Sequence, residues 1–377
     1  MPIKVLIADD SSFQRNLISK MISEHPKIEV VGVAKDGLQV LEMVEKNRPN
    51  VLLLDILMPK MDGLSAFKLV RNKYSIPTII FSVLDPKTMD ASVQALLLGA
   101  FDYIIKPGGI WKVELPKFKE QLISKILLAY KSKNEKEHDE NKVFAEKPEI
   151  KQETLLVEKN NVDFIEIKED LKKVVPVPTS GKLAKLKFNI IVIGTSVGGP
   201  RTLKLILEQI PKDFSCPILI VQHLDNFFMK QFADSLSGLC KIYIKIAEDG
   251  EEIHPGIAYL SPGDKHMKII LKNNKPCLRT FEGKPINFCL PSIDPLFFSA
   301  ARIFKNCAMG IILTGLGVDG VAGLEAIKLM GGKTIAESKE TSVVYGMPKV
   351  AFEKGAAQIV VPNYQIKNYM INYAKKT

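Results

Sequence analysis

Short apolar runs alternate with longer amphipathic stretches twice along this chain, and a charged segment separates the two series. In the first series, runs at 3–8, 51–54, 78–83 and 102–105 are interleaved with helical periodicity near 12–24, 37–47, 63–73 and 87–98. A further helical stretch from Leu115 to Tyr130 closes it. Strands alternating with helices at this spacing read as βα units of a parallel sheet. The second series starts at Phe188, with runs at 189–193, 217–221, 257–260, 308–313 and 357–361. The two series share no period, so they are two different domains and not a repeat. Between them, residues 131–187 hold 13 lysines and 12 acidic residues in 57 positions. Mixed charge and sparse apolar periodicity read as a linker, disordered or transiently helical, in which Leu155–Val157 and Phe164–Ile167 are short patches able to dock. The expected fold is α/β: two doubly wound parallel-sheet domains, 1–130 and 188–377, joined by the charged linker 131–187.

Composition excludes several classes. A chain of 377 residues with 46% hydrophobic and 25% charged residues has apolar surface enough for more than one core. The five cysteines, Cys216, Cys240, Cys277, Cys289 and Cys307, form no Cys-x-x-Cys pair. That spacing argues against a disulfide framework and a zinc site. The N-terminus runs straight into Ile-Lys-Val-Leu-Ile-Ala-Asp-Asp, and no run of about 18 apolar residues occurs. A cytoplasmic location without membrane insertion is expected. The net charge of +10 could serve nucleic acid, an acidic partner or solubility. The linker contributes only +1 of it, and neither domain offers a small basic recognition module, so no nucleic acid is expected.

In the first domain, Asp9 and Asp10 follow the first run, Asp55 follows Val-Leu-Leu-Leu, Ser82 ends Thr-Ile-Ile-Phe-Ser, and Lys106 precedes Pro107. Carboxyl ends of parallel strands form the ligand crevice. Acids gathered there repel one another unless a hard cation neutralises them, and Mg²⁺ prefers such oxygen ligands. Each acid alone could simply cap a helix; the whole set converging on one edge argues for a site. With Tyr103 added, residues 1–130 resemble a response-regulator receiver domain, a flavodoxin-like fold. The resemblance implies that Asp55 accepts a phosphoryl group from a histidine kinase. It implies Mg²⁺ held by Asp10, Asp55 and the Leu57 carbonyl, with Asp9 helping through water. It also implies Lys106 on the phosphoryl oxygens, and Ser82 and Tyr103 as switch residues.

In the second domain, Gly194-Thr-Ser196-Val-Gly198-Gly-Pro follows a strand and has the shape of a nucleophile elbow. A dinucleotide loop would need glycine where Ser196 stands, and a plain βα turn with a capping serine is the simpler alternative. The rest of the set favours chemistry. His223 ends Ile-Leu-Ile-Val-Gln-His, and Asp319 follows a strand through Thr-Gly-Leu-Gly-Val-Asp. A serine needs a base within reach, and that base needs a carboxylate to hold its tautomer. The order Ser, His, Asp differs from the Ser, Asp, His of α/β-hydrolases. His266 and Asp294 remain rivals to His223 and Asp319, while His254, in a turn before Pro255, reads as structural.

These segments, with Tyr-Leu-Ser-Pro-Gly-Asp-Lys-His-Met, Pro-Ser-Ile-Asp and Ser-Val-Val-Tyr-Gly-Met-Pro, resemble the chemotaxis protein-glutamate methylesterases over 188–377, a Rossmann-like domain. The resemblance implies hydrolysis of glutamyl γ-methyl esters on chemoreceptors, switched on by phosphorylation, and deamidation of particular receptor glutamines. It implies Ser196 as nucleophile, His223 as general base, Asp319 as its orienter and the Leu316 backbone N–H as an oxyanion donor. No cofactor is expected for the esterase chemistry, and the chain is expected to be a monomer. Val197, Val318 and Asn287-Phe-Cys-Leu depart from the family's usual pattern. A DNA-binding output, a hydrolase of another ester and a non-catalytic binding module are the competing readings.

Overall fold

The strand Ile3–Ala8 (β1) begins a regular alternation. It is followed by Ser12–Ser23 (α1), Ile28–Ala34 (β2), Gly37–Asn47 (α2), Val51–Asp55 (β3), Gly63–Lys73 (α3), Thr78–Ser82 (β4), Pro86–Leu98 (α4), Asp102–Ile105 (β5) and Trp111–Val143 (α5). The computed structural model describes residues 2–83, 85–107, 111–143 and 188–375. The chain divides into two units between Pro148 and Glu149. In the first unit all strands are parallel, in the order β2-β1-β3-β4-β5. Strands β3 and β4 are buried along their whole length, as uninterrupted apolar runs between two helical layers must be. Ser11, Asp36 and Asp62 cap α1, α2 and α3 by accepting from Gln14, Gln39 and Ser65 backbone N–H groups.

Two elements of the first unit differ from expectation. Strand β2 is absent from the apolar runs because Glu29 and Gly32 break its pattern and much of it is half-exposed. Helix α5 continues thirteen residues past Tyr130 into the stretch expected to be linker. The rest of the expected linker, 144–187, with its two apolar patches, lies outside the described residues.

The second unit contains Ile190–Thr195 (β6), Gly199–Leu207 (α6), Ile218–Gln222 (β7), Asn226–Leu239 (α7), Tyr243–Ile246 (β8), Ile257–Leu260 (β9), His266–Lys272 (β10) and Lys275–Phe281 (β11). Beyond these come Asp294–Phe304 (α8), Ala308–Ile312 (β12), Val321–Leu329 (α9), Lys333–Glu337 (β13), Met347–Glu353 (α10), Ile359–Val361 (β14) and Asn363–Ala374 (α11). Seven strands form one parallel sheet in the order β14-β13-β12-β6-β7-β9-β8. The separate antiparallel hairpin β10–β11 turns through Asn273 and Asn274 at φ 52° and 61°. Asparagine tolerates this left-handed conformation, which a two-residue hairpin turn requires. Helix α8 is buried along nearly its whole length, with Leu296, Phe297, Ala300 and Ala301 packed in a core shared with Ile190, Val192, Ile312, Leu324 and Ile327. The direction in which successive strands are laid down reverses about β1 in the first sheet and about β6 in the second, since each has a neighbour on either side that comes later in sequence. Such switch points open crevices at the strands' carboxyl ends. Among the described residues no helix is long and apolar enough to cross a membrane.

Candidate functional site

At the switch point of the first sheet, β1 runs into Asp9 and Asp10, β3 ends in Asp55, and β5 leads into Lys106. The Lys106 ammonium donates a hydrogen bond to Asp55 Oδ2 at 2.7 Å and lies 2.8 Å from Asp9 Oδ2. The second contact is an ion pair off the hydrogen-bond direction, so Asp9 Oδ2 is buried without a hydrogen-bond donor. Carboxylate oxygens of Asp9, Asp10 and Asp55 come within 4.8 Å of one another, Asp10 at the exposed rim. One ammonium against three carboxylates, with an orphaned oxygen among them, is a donor set that fits a hard divalent cation. Ser82, at the end of β4, is buried and turns its hydroxyl to the Val83 carbonyl (3.1 Å). Tyr103 lies half-buried on β5 with the Lys125 ammonium 5.5 Å from its ring centroid, and Leu57 carries an exposed side chain two residues beyond Asp55.

Burial pushes the Asp55 carboxyl up to about 6 against the pull of Lys106, and the Asp9 charge adds to the rise. A folded-state value above the ordinary one means that the native state holds this proton more tightly than the unfolded chain. Its stabilising contribution is complete below about pH 4 and is lost as pH rises through about 6. Asp55→Asn should therefore stabilise the first unit by about 1–3 kcal/mol at pH 7.5 and by about half as much at pH 5. Denaturant titration of both proteins at the two pH values measures this; an equal effect at both would contradict it.

In the second unit the register of adjacent strands sets the site. Thr195 pairs with Gln222 across β6 and β7, so Ser196 and His223 are the next residues beyond neighbouring strand ends. The His223 N–H donates to the Thr195 carbonyl (3.0 Å), and the Gln222 side-chain amide donates to the carbonyls of Ser196 (2.9 Å) and His223 (3.1 Å). On the other side of β6, Thr314 follows β12, accepts from the Ser196 N–H at 3.0 Å and donates its hydroxyl to the Val197 carbonyl at 2.9 Å. Gly198 closes the turn at φ +79°, where a Cβ would also strike Val343. Gly315 has no room for a Cβ because Ser196 Cβ would lie 2.7 Å away. These constraints hold Ser196 half-buried at the start of α6.

The His223 ring donates through Nε2 to Asp319 Oδ2 at 2.9 Å in the tautomer that an ionised carboxylate favours. That leaves Nδ1 as the acceptor. Asp319 is buried and fully hydrogen-bonded. Its Oδ1 accepts from the Ser292 hydroxyl (2.6 Å) and the Asn287 amide (3.0 Å), and its Oδ2 also accepts from the Ile293 N–H (2.7 Å). Burial pushes this carboxyl upward, but the hydrogen bonds and charge of His223, with Asn287 and Ile293, outweigh it and hold the group below its ordinary value. Asp319 is thereby held ionised at neutral pH.

The rivals are placed elsewhere. His266 is buried with both ring nitrogens used, Nε2 on the Lys284 carbonyl (3.0 Å) and Nδ1 accepting from the Ser292 N–H (3.1 Å). It supports Ser292 and has no nitrogen left for a substrate. Asp294 opens α8 and binds the Gly323 N–H (2.8 Å) and the Asn287 amide (2.7 Å). Burial, and then the Asp319 charge, push it up to about 7. Asn287 thus places one amide between two buried carboxylates. Its role, like those of Gln222 and Ser292, was not legible as chemistry in the sequence. Cys289 Sγ lies within 4.8 Å of ligand atoms of His223 and Asp319. It is an unpromising metal ligand there, because burial and the two aspartates push the thiol up to about 12 and Asp319 already accepts four hydrogen bonds. Among the described residues, the Ser196 hydroxyl and the backbone N–H groups of Val197 and Leu316 donate to nothing.

Comparison with known proteins gives two domain matches: "Response regulator receiver domain" over residues 5–113 and "CheB methylesterase" over 191–370. A protein-glutamate methylesterase/protein-glutamine glutaminase of Pyrococcus horikoshii is 35% identical over 98% of this chain and 93% of its own length. The protein of the same name from Thermotoga maritima is 36% identical over 98% of each chain. The crystal structure of the Thermotoga maritima CheB methylesterase catalytic domain is 42% identical over 50% of this chain and 99% of that one, with a TM-score of 0.49. With nearly its full length matched at this identity, the chain belongs to the family of the protein-glutamate methylesterases/protein-glutamine glutaminases that carry an N-terminal receiver domain.

Proposed function

We propose that this chain is a phosphorylation-activated serine hydrolase that removes methyl groups from glutamyl γ-methyl esters of chemoreceptors, and that Ser196, His223 and Asp319 carry the reaction. The observation that carries the reading is the hydrogen-bonded His223–Asp319 pair standing at the strand end next to Ser196. His223 Nδ1 takes the Ser196 proton as Oγ adds to the ester carbonyl. The N–H groups of Val197 and Leu316 receive the developing oxyanion. Collapse breaks the acyl–oxygen bond, and the methoxide leaves as methanol with the proton from His223. Water then adds to the acyl-serine with His223 again as base, which releases the glutamate and restores Ser196. A glutamine substrate follows the same path with ammonia leaving in place of methanol, so one site serves both activities in the family's name. No step needs a cofactor.

In the receiver, Asp55 is the phosphorylation site, with a chemotaxis histidine kinase as the natural donor. Asp9, Asp10, Asp55 and the Leu57 carbonyl would hold Mg²⁺, which supplies positive charge against the phosphoryl oxygens when bound. Lys106 already reaches the Asp55 carboxylate and would follow onto a phosphoryl group. Ser82 would exchange its bond to Val83 for one to the new oxygens, and Tyr103 would move with it. Methanol release from methylated receptor membranes, with and without a small-molecule phosphodonor, tests the coupling. Wild-type activity should rise between about 5-fold and 150-fold with donor, the usual range for coupled sites, and Asp55→Ala should show no rise. A normal response in Asp55→Ala would remove Asp55 from the switch.

A further inference from the structure

Residues 286–290 form a tight turn against the triad. The Ile286 and Cys289 backbones pair through two hydrogen bonds of 3.0 and 2.9 Å, and the central residues Asn287 and Phe288 both take left-handed conformations, φ 51° and 63°. Asparagine adopts that conformation readily; phenylalanine does so against its preference. The side chain presented there is 104% exposed, so the fold gains no packing from it. Its two neighbours point the other way: Asn287 donates to Asp319, and Cys289 lies within 4.8 Å of ligand atoms of His223 and Asp319. Leu316 (53% exposed) and Val318 (49%) flank Gly317 on the turn that leads into Asp319. A large aromatic, a leucine and a valine therefore stand uncovered on the two turns that carry Asn287 and Asp319, which are hydrogen-bonded to each other. Such a grouping beside a reactive site calls for an account that scattered exposed apolar residues do not.

We propose that Phe288 is a specificity-determining contact for the receptor polypeptide flanking the esterified glutamyl side chain, with Leu316 and Val318 completing an apolar rim. This rests on the methylesterase reading. The occupant follows from continuity with the site: the turn bearing Phe288 holds Asp319 through Asn287, and Leu316 carries an undonated backbone N–H offered to the substrate oxyanion. The chemistry of the reaction fits as well. The substrate side chain is a neutral methyl ester and the product is a carboxylate. An apolar rim backed by the ionised Asp319 accommodates the first and disfavours the second, which aids product release.

The test compares wild type, Phe288→Ala and Phe288→Leu in the full chain with phosphodonor present. Substrates are methylated receptor membranes and a small ester, N-acetyl-glutamate γ-methyl ester. Loss of a buried aromatic contact should raise KM for receptor by about tenfold or more in Phe288→Ala, with kcat within about twofold. Phe288→Leu should recover most of it, and kcat/KM for the small ester should change by less than about twofold. An unchanged KM for receptor would overturn the proposal. So would an equal loss on both substrates, which would place Phe288's effect on Asn287 and Asp319. A gain of activity in unphosphorylated Phe288→Ala would also overturn it, by assigning the side chain to this chain's own receiver. Absence of methanol release by the wild type is read separately and would overturn the underlying activity itself.

Discussion

Ser196→Ala should lower kcat for methanol release from methylated receptor by about 10⁵–10⁶-fold while leaving the protein folded. The size follows from what the serine supplies. Without Oγ no acyl-enzyme forms, and the remaining oxyanion donors and binding contacts give only residual catalysis. Structural integrity is expected because the hydroxyl makes no hydrogen bond among the described residues and the position is only half-buried. The backbone of the turn is held by other groups: Thr314 takes the Ser196 N–H, and Gln222 takes its carbonyl. Stability should change by less than about 0.5 kcal/mol, the range for substitutions away from packed or bonded features. Methanol assay and thermal unfolding on the same preparation check both halves. Full activity would exclude Ser196 as nucleophile, and an unfolded variant would show that the turn depends on the hydroxyl.

Asp319→Asn is the second large effect, of about 10⁴-fold in kcat, and unlike the first it should also cost stability. Both Asp319 oxygens accept from two donors each. An asparagine must put its NH₂ on one side or the other. Facing Asn287, it sets donor against donor. Facing Ile293 and His223, it leaves a buried N–H unpaired and turns the imidazole to the tautomer that protonates Nδ1, the nitrogen needed to accept the Ser196 proton. An unpaired buried group costs about 1–3 kcal/mol. The paired loss distinguishes this carboxylate from Asp294, which reaches Asn287 and Gly323 and is not bonded to His223. If Asp294→Asn lost 10⁴-fold and Asp319→Asn little, the assignment of orienter would be reversed. Steady-state kinetics across pH with denaturant unfolding at one pH measures both.

The architecture was largely legible in the sequence, and the reasons are local. Runs such as Val51–Leu54 and Ile218–Val221 are apolar without alternation, which only a strand buried on both faces explains. Strands with few apolar residues carry no such signal, whether at an edge or inside the sheet: β2 is broken by Glu29 and Gly32, β8 reads Tyr243-Ile-Lys-Ile, and the interior β13 reads Lys333-Thr-Ile-Ala-Glu. The hairpin β10–β11 is likewise not evident although Asn273-Asn274 is a turn signature, because His-Met-Lys-Ile-Ile-Leu-Lys and Lys-Pro-Cys-Leu-Arg-Thr-Phe hold neither a clean alternation nor a long apolar run. Helix α5 runs on to Val143 through a stretch whose mixed charge reads equally as linker, because composition alone does not separate a charged helix from a charged coil.

The site divides in the same manner. By itself the sequence determined which residue types stand at strand ends: Asp9, Asp55 and Lys106 in one domain, Ser196, His223 and Asp319 in the other. Chain continuity places them there, and the crevice of a parallel sheet gathers strand ends. What separates them from their rivals lies in tertiary contacts. His266 and Asp294 lie in stretches as suggestive as those of His223 and Asp319, and their exclusion depends on hydrogen bonds to Lys284, Ser292, Gly323 and Asn287 that join segments far apart in the chain. The same holds for Asn287, which in sequence is one residue of a divergent stretch and in the fold is the amide between two buried carboxylates. Local pattern follows from backbone geometry and can be read along the chain. Who donates to whom across a sheet depends on which elements pack, and that information exists only once the core has formed.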